Sequence, residues 1–189
     1  MELGASLQIG LSSWIVQDGN YPDFEVGNDY RFALEFGLED VSPSETTVPA
    51  LVLQHGAEYS FNGTTLLRSD PLTILDVGIL CFHDGTIPSL PASPGPLKGR
   101  LYLGIDPFFW FESHAHQPSM PRLLYGWHLK GILLETTAWV ESRDDSGRLL
   151  LTRAPEPPSF KAIDRTDAWN DDNGHAHYIL QCELTKLAA

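Results

Sequence analysis

Apolar and polar residues alternate along most of this chain, and this period of two limits how it can fold more than any other feature. In the segment 31–38, one face carries Phe32, Leu34, Phe36 and Leu38, while smaller or charged residues occupy the other face. This pattern is typical of a β-strand with one buried side. The same alternation recurs in residues 3–11, 100–106, 125–129 and 176–184.

The spacing of turn residues supports an all-β fold. The chain has 16 glycines and 14 prolines, and no segment shows a long amphipathic pattern with helical spacing. We predict that residues 1–189 form a single all-β domain, built as a closed or nearly closed OB-like β-barrel of about seven strands. A two-sheet β-sandwich is the alternative. The charged, proline-rich segment 143–158 is predicted to be a flexible loop.

Several local features of this barrel follow from the sequence. The first two strands are predicted to form a hairpin, and Asn62-Gly63 is predicted to be a tight hairpin turn. The run 72–82 is apolar on both faces and is predicted to be one central strand. A closing strand is predicted from His175 to Leu184. Its inward residues would be Ala176, Tyr178, Leu180, Cys182 and Leu184.

The charge of the chain limits its partners. Lysine and arginine number 12 against 25 aspartates and glutamates, which gives a formal net charge of −13. The positive residues are scattered, so phosphate backbones and anionic membranes are disfavoured. A single-strand nucleic-acid binder, a common role of OB barrels, is therefore a disfavoured alternative. The composition favours a basic protein partner.

The cysteines and the first residues indicate a cytoplasmic protein. Cys81 and Cys182 lie far apart in apolar strand patterns, which indicates buried free thiols rather than a disulfide framework. Residues 1–16 lack a basic start and an unbroken apolar run, so they resemble a strand more than a signal peptide. No stretch is long and apolar enough for a membrane span.

Two His-x-His pairs are the candidate metal ligands. On a strand, His175 and His177 would point to the same side, but Glu183 lies about 20 Å further along at roughly 3.3 Å per residue. His114 and His116 lie in a loop of undefined geometry. We therefore expect polar surface histidines, no metal and no cofactor. Phosphate-binding glycine loops are also absent from the sequence.

An enzyme or small-molecule binder remains an alternative. A carboxylate at Asp76, inside an apolar run, needs either a partner or water. If it lay at a barrel mouth, Asp76, Tyr102, Trp127 and His128 could line a pocket. However, the sequence shows no nucleophile motif and no residue to which we assign a catalytic role.

The run Phe108-Phe109-Trp110-Phe111 is the strongest anomaly of the sequence. Neighbouring strand residues point to opposite faces, so four aromatic rings cannot all enter one core unless both faces are covered. At least one ring should remain partly exposed, as an apolar patch on an acidic surface. The sequence thus favours a non-enzymatic protein-binding module, such as an inhibitor or immunity-type protein, that binds through these four residues. Its oligomeric state is open.

Overall fold

The structure, a computed structural model, confirms the all-β class. It describes residues 1–69, 71–88, 90, 95–143, 146–155 and 157–187. Strands account for 54% of the structure and helices for 8%, so paired strands form most of the fold. The described part of the chain contains thirteen strands, two short α-helices and one 3-10 helix. About seven strands was therefore too low a number. The segments 31–38 and 72–82 are each divided between two strands, and three further strands lie between residues 139 and 163.

The elements follow one another in chain order. The strands are β1 (Ser6–Ser12), β2 (Asp29–Phe32), β3 (Leu34–Pro43), β4 (Ala50–His55), β5 (Glu58–Ser69), β6 (Leu72–Asp76), β7 (Leu80–Asp84), β8 (Pro96–Ile105), β9 (Tyr125–Glu135), β10 (Trp139–Arg143), β11 (Leu149–Arg153), β12 (Phe160–Ile163) and β13 (His177–Lys186). The helices are α1 (Ser13–Gln17) and α2 (Phe109–Ser113), and the 3-10 helix is Asp171–Gly174.

Five strands close into a barrel, as the sequence predicts. They pair in the ring β8-β3-β7-β6-β5, and β5 returns to β8 to complete it. Every pair is antiparallel except β3 with β7, which meet in parallel at Glu35 and Phe82. This closure contradicts the alternative of two separate packed sheets. The inner face is filled by buried apolar residues such as Phe36, Ile74 and Leu101.

The remaining strands extend the sheet away from the barrel. From β8 the order continues through β1, β13 and β9, and both β2 and β12 pair with β9. Strand β1 therefore pairs along its length with β13, and the predicted hairpin between the first two strands is wrong. The chain turns away after β1 through helix α1, so β2 reaches a different part of the sheet. Strands β10 and β11 form a separate hairpin.

The predicted closing strand is confirmed. Strand β13 begins at His177, two residues later than predicted, and the five residues expected to face inward are all buried. They are Ala176, Tyr178, Leu180, Cys182 and Leu184. Ile179, on the opposite face, is also buried, and one of its methyl groups lies near Gly56 in the β4–β5 turn. The strand is thus covered at that point on both sides.

Two turns lie elsewhere than predicted. Asn62 and Gly63 are inside β5, whereas the hairpin turn falls at Gly56, which has a φ of +53°. Gly63 is required by packing, because a Cβ there would lie 2.6 Å from the backbone oxygen of Asp76. The run 72–82 is two strands, β6 and β7, rather than one.

One predicted loop contains a strand. Strand β11 lies within the segment 143–158 and pairs with β10 from Trp139 to Arg143. Cross-strand pairing therefore occupies part of a segment whose charge and prolines indicated a loop. Residues 144, 145 and 156 lie outside the described residues, and the flexibility of the segment stays a prediction.

We expect Gly63→Ala to destabilise the barrel by about 1 to 3 kcal/mol, since the new methyl group would displace the backbone of β6. Gly37→Ala is the matched control. It lies in barrel strand β3, and a Cβ there would meet nothing within 4 Å. Urea unfolding of both variants measures the difference. Equal stabilities would contradict the close approach of β5 and β6.

Candidate functional site

The four residues of the predicted barrel-mouth pocket do not come together. Trp127 is fully buried, and its ring stacks on Phe32 with 5.7 Å between centroids. His128, its neighbour on β9, points to the other side of the sheet, where its Nδ1 lies 2.7 Å from an Asp29 carboxylate oxygen. Because successive strand residues face opposite ways, these two side chains cannot line one pocket.

The other two residues of that prediction serve separate contacts. Asp76 lies at the turn between β6 and β7, where its carboxylate accepts a hydrogen bond of 2.8 Å from the Gly78 N–H. Gly78 has a φ of +94°, which a side chain would strain. The hydrogen bond within this turn thus offsets the free-energy cost of placing a carboxylate in an apolar run. Tyr102 instead reaches His177.

A helical turn divides the aromatic run Phe108–Phe111. The buried Asp106 carboxylate accepts the Trp110 N–H at 3.1 Å and anchors the start of α2, which the sequence did not predict. Trp110 is fully buried and packs against Phe82 of the barrel, with 5.1 Å between ring centroids. Phe111 is 38% exposed, as expected for at least one ring. Trp110 is therefore not accessible to a partner in this conformation, and its part in partner binding stays a prediction.

Phe108 and Phe109 are only partly covered. Phe108 has a φ of +76°, and its ring packs on Phe111 with 4.8 Å between centroids. Phe109 packs on His114, whose two ring nitrogens are buried and have no hydrogen-bond partner among the residues that the structure describes. Partner binding by Phe108, Phe109 and Phe111 stays a prediction.

We expect Trp110→Ala to cost about 3 to 5 kcal/mol of stability, because it would empty a buried site against the barrel. Phe111→Ala should stay within about 1 kcal/mol of the wild type, because its ring is partly solvated. Thermal and urea unfolding measure both. Strong destabilisation by Phe111→Ala would show that this ring is part of the core.

Two partly buried carboxyl groups, those of Glu35 and Asp106, have raised pKa values. Burial, together with neighbouring Asp106 and Asp84, raises the pKa of Glu35 from 4.5 to about 7. Burial also raises the pKa of Asp106 from 3.8 to about 6, although backbone N–H groups of α2 act in the opposite direction. The folded protein therefore binds more protons than the unfolded chain in mildly acidic solution.

The pH dependence follows from these directions. A raised pKa contributes stability that is complete below about pH 4.5 and is lost as pH rises to about 7. We expect Glu35→Gln to remove the part of this dependence that Glu35 contributes, while Asp106 keeps its own. The stability of the variant relative to the wild type should then be on the order of 2 kcal/mol higher at pH 8 than at pH 4.5. Glu45→Gln, on an exposed loop, is the control. Parallel stability curves for wild type and Glu35→Gln would contradict the raised pKa.

A separate cleft forms beside the barrel, where the β10–β11 hairpin approaches helix α1. Its volume is about 550 Å³. We call it the tryptophan cleft, because the indole rings of Trp14 and Trp139 are 50% and 40% exposed there. It is lined by Ser12, Ser13, Trp14, Gln17, Glu135, Trp139, Arg153, Gly174, His175, Ala176 and His177.

A chain of hydrogen bonds crosses one wall of the cleft. The Tyr102 hydroxyl lies 2.8 Å from His177 Nε2, and His177 Nδ1 lies 3.2 Å from a Glu135 carboxylate oxygen. Burial lowers the pKa of His177, although Glu135 partly opposes this. Burial raises the pKa of Tyr102. The lowered pKa favours the neutral imidazole of His177, and both of its ring nitrogens have a hydrogen-bond partner.

Arg153 organises the hairpin side of the cleft. Its guanidinium lies 3.9 Å from the centroid of the Trp139 ring, pairs with Asp172, and donates 2.6 Å to the Thr137 carbonyl. Its Nε lies 3.7 Å from Glu135. Arg153 thus contacts Trp139, Asp172, Thr137 and Glu135 at the same time.

Helix α1 forms the opposite wall. Ser13 Oγ donates to the Gly174 carbonyl at 2.8 Å, and Gln17 Nε2 donates to the carbonyls of Ala168 and Gly174 at 2.7 and 2.9 Å. These bonds fix a helix of only five residues, and they hold Trp14 beside the opening.

The His-x-His prediction had a mixed outcome. His175 and His116 are exposed, as expected, whereas His177 and His114 are partly buried. Among the described residues, no group of three or more histidine, cysteine or acidic side chains could hold a metal ion. His177 was expected to be a polar surface histidine, whereas the structure places it in a hydrogen-bonded chain between Tyr102 and Glu135. The sequence patterns did not point to Trp14, Glu135, Trp139 and Arg153, whose convergence depends on pairings distant in sequence.

Comparison with known protein families, with characterised proteins and with solved structures finds no match to this chain. In the described part of the chain, no helix is both long enough and apolar enough to cross a membrane.

Proposed function

We propose that this protein is a non-enzymatic protein-binding module for a basic partner, and that the tryptophan cleft is its main contact surface. The exposure of Trp14 and Trp139 at one cleft is the observation that carries the proposal. Tryptophan contributes more to the free energy of binding at protein interfaces than most residue types do. In this structure, however, Trp14 and Trp139 are largely exposed to solvent. A partner would remove that apolar surface from solvent.

The charge of the chain supports a basic partner. The formal net charge is −13, and Asp164, Asp167, Asp171 and Asp172 occur within nine residues. Of these, Asp172 contacts Trp139 and Arg153 at the cleft. The electrostatic field of a negatively charged protein speeds its association with a positively charged partner and disfavours acidic partners. An inhibitor or immunity-type protein that binds a basic nuclease would have this character. Both cysteines are buried free thiols, which supports a cytoplasmic location.

The state of the polar groups favours binding over catalysis. A general base needs a nitrogen or oxygen free to take a proton from substrate, but both His177 nitrogens are bonded. The Ser13 hydroxyl is committed to Gly174, and Cys81 and Cys182 are buried thiols whose pKa values burial raises. Within the cleft, the bonds of His177 and Ser13 hold its walls in place.

Small-molecule binding is the second candidate function. The volume of the cleft, about 550 Å³, lies within the range of small-molecule sites, and its lining combines aromatic rings with a few polar groups. We also propose that the five-stranded barrel is OB-like, since that family of barrels has five strands. Single-strand nucleic acid is still disfavoured by charge.

The test is capture of a partner by the immobilised full chain, followed by identification and a binding curve with the purified partner. We expect a protein of net positive charge whose Kd rises at least about tenfold for Trp14→Ala, which corresponds to about 1.4 kcal/mol. Added salt should weaken binding.

Leu66→Ala is the matched control, because Leu66 is 55% exposed but lies on barrel strand β5. It should bind as the wild type does. Phe111→Ala in the same assay tests whether the aromatic run is a second contact. A partner whose affinity ignores Trp14 would contradict the cleft as the main surface.

A further inference from the structure

We infer that the tryptophan cleft receives a cationic side chain, an arginine or a lysine, which the protein partner presents. This inference rests on the proposed function and specifies what its site recognises. It follows from the rings, the charges and the rigidity of the cleft.

The aromatic walls suit a cation. The electron-rich face of an indole attracts a guanidinium or ammonium group more strongly than the other aromatic rings do. The cleft already shows this chemistry within the chain, since Arg153 lies 3.9 Å from the Trp139 ring centroid. Trp14 lines the same cleft and is 50% exposed, so its ring can meet an incoming cation.

The fixed charges of the cleft are unequal. Glu135 and Asp172 both interact with Arg153, so two carboxylates share one guanidinium. Their side chains are only 12% and 19% exposed, and that of Arg153 is 19% exposed, so water screens these charges weakly. The local sum is therefore one negative charge, which an incoming cation would neutralise and an anion would increase.

The contact between Glu135 and Arg153 is also loose. The distance of 3.7 Å is longer than a hydrogen bond. Among the described residues, the other oxygen of Glu135 is bonded by the imidazole of His177. Glu135 thus retains capacity to accept from a donor in the cleft. A guanidinium or ammonium group supplies such donors together with the missing positive charge.

The site is held in place before any ligand arrives. Asp172 accepts the indole N–H of Trp139 at 2.9 Å and also binds Arg153, which fixes the ring. Helix α1 is fixed through Ser13 and Gln17. A preorganised site loses less conformational entropy on binding. A metal ion is a poor alternative occupant, because among the described residues no three metal-ligating side chains converge.

The experiment titrates the full chain with the blocked peptide acetyl-Gly-Arg-Gly-amide at low ionic strength and follows the indole N–H signals by NMR. We expect saturable shifts of the Trp14 and Trp139 signals, with a Kd in the millimolar range for a single cationic residue. The lysine peptide should bind at the same signals. The citrulline peptide, which has nearly the same shape but no charge, should bind about tenfold more weakly or not at all.

Two variants and a control locate the effect. Trp14→Ala and Glu135→Gln should each weaken binding of the arginine peptide by about tenfold. Trp169→Ala is the matched control, because Trp169 is 67% exposed but does not line the cleft, and it should bind normally. Circular dichroism and one-dimensional NMR check that each variant is folded.

Equal affinity for the citrulline peptide, shifts confined to other tryptophans, or binding unaffected by Trp14→Ala would each overturn the inference. If an identified partner still requires Trp14 while the arginine and lysine peptides do not bind, the protein-binding proposal stands and the cation site is wrong. If the peptides bind but no partner requires Trp14, the protein-binding proposal fails while the cation site stands.

Discussion

Strand β8 pairs with three other strands, and both the barrel and the outer sheet depend on those pairings. It closes the barrel through β3 and β5, and it meets β1 at the single parallel pair Gly10 and Gly104. Two close approaches make this possible. A Cβ at Gly99 would lie 1.9 Å from the Asp40 carbonyl, and a Cβ at Gly10 would overlap the Tyr102 hydroxyl. Because these two glycines have no side chain, the Asp40 carbonyl and the Tyr102 hydroxyl can lie directly against their backbone.

The same crossing connects the fold to the cleft. Tyr102 extends from β8 across Gly10 and reaches His177 at the start of β13. His177 then fixes Glu135 at the end of β9, and Arg153 connects that carboxylate to the exposed hairpin. Polar contacts position Trp139, because Asp172 accepts its indole N–H and the Arg153 guanidinium lies over its ring. The partly buried charges of Glu135, Arg153 and Asp172 therefore have a structural role in the site that we propose for binding.

Sequence reasoning succeeded where one local pattern determines one local structure. The alternation in Ala176 to Leu184 predicts a buried strand face because a wrong register would expose all five apolar side chains. It failed where two pairings compete. Asn62-Gly63 has turn chemistry, but Gly63 is needed for the close approach to Asp76, and Gly56 makes the turn instead. Of the residues that line the cleft, the sequence patterns singled out only the segment His175 to His177. Trp14 and Arg153 lie 139 positions apart, and no local pattern predicts that they would line one cleft.

By itself, the sequence determined the strand faces, the barrel class and the acidic surface, because each depends on the order or number of nearby residues. Only the tertiary structure decided which strands are neighbours, which ring of the aromatic run is exposed, and which charges share a cleft. Phe111 and Trp110 are adjacent in sequence, yet a single turn of helix sends one to solvent and the other into the core. Exposure and charge pairing depend on distances in space, and these are set by strand pairings that join residues far apart in the chain.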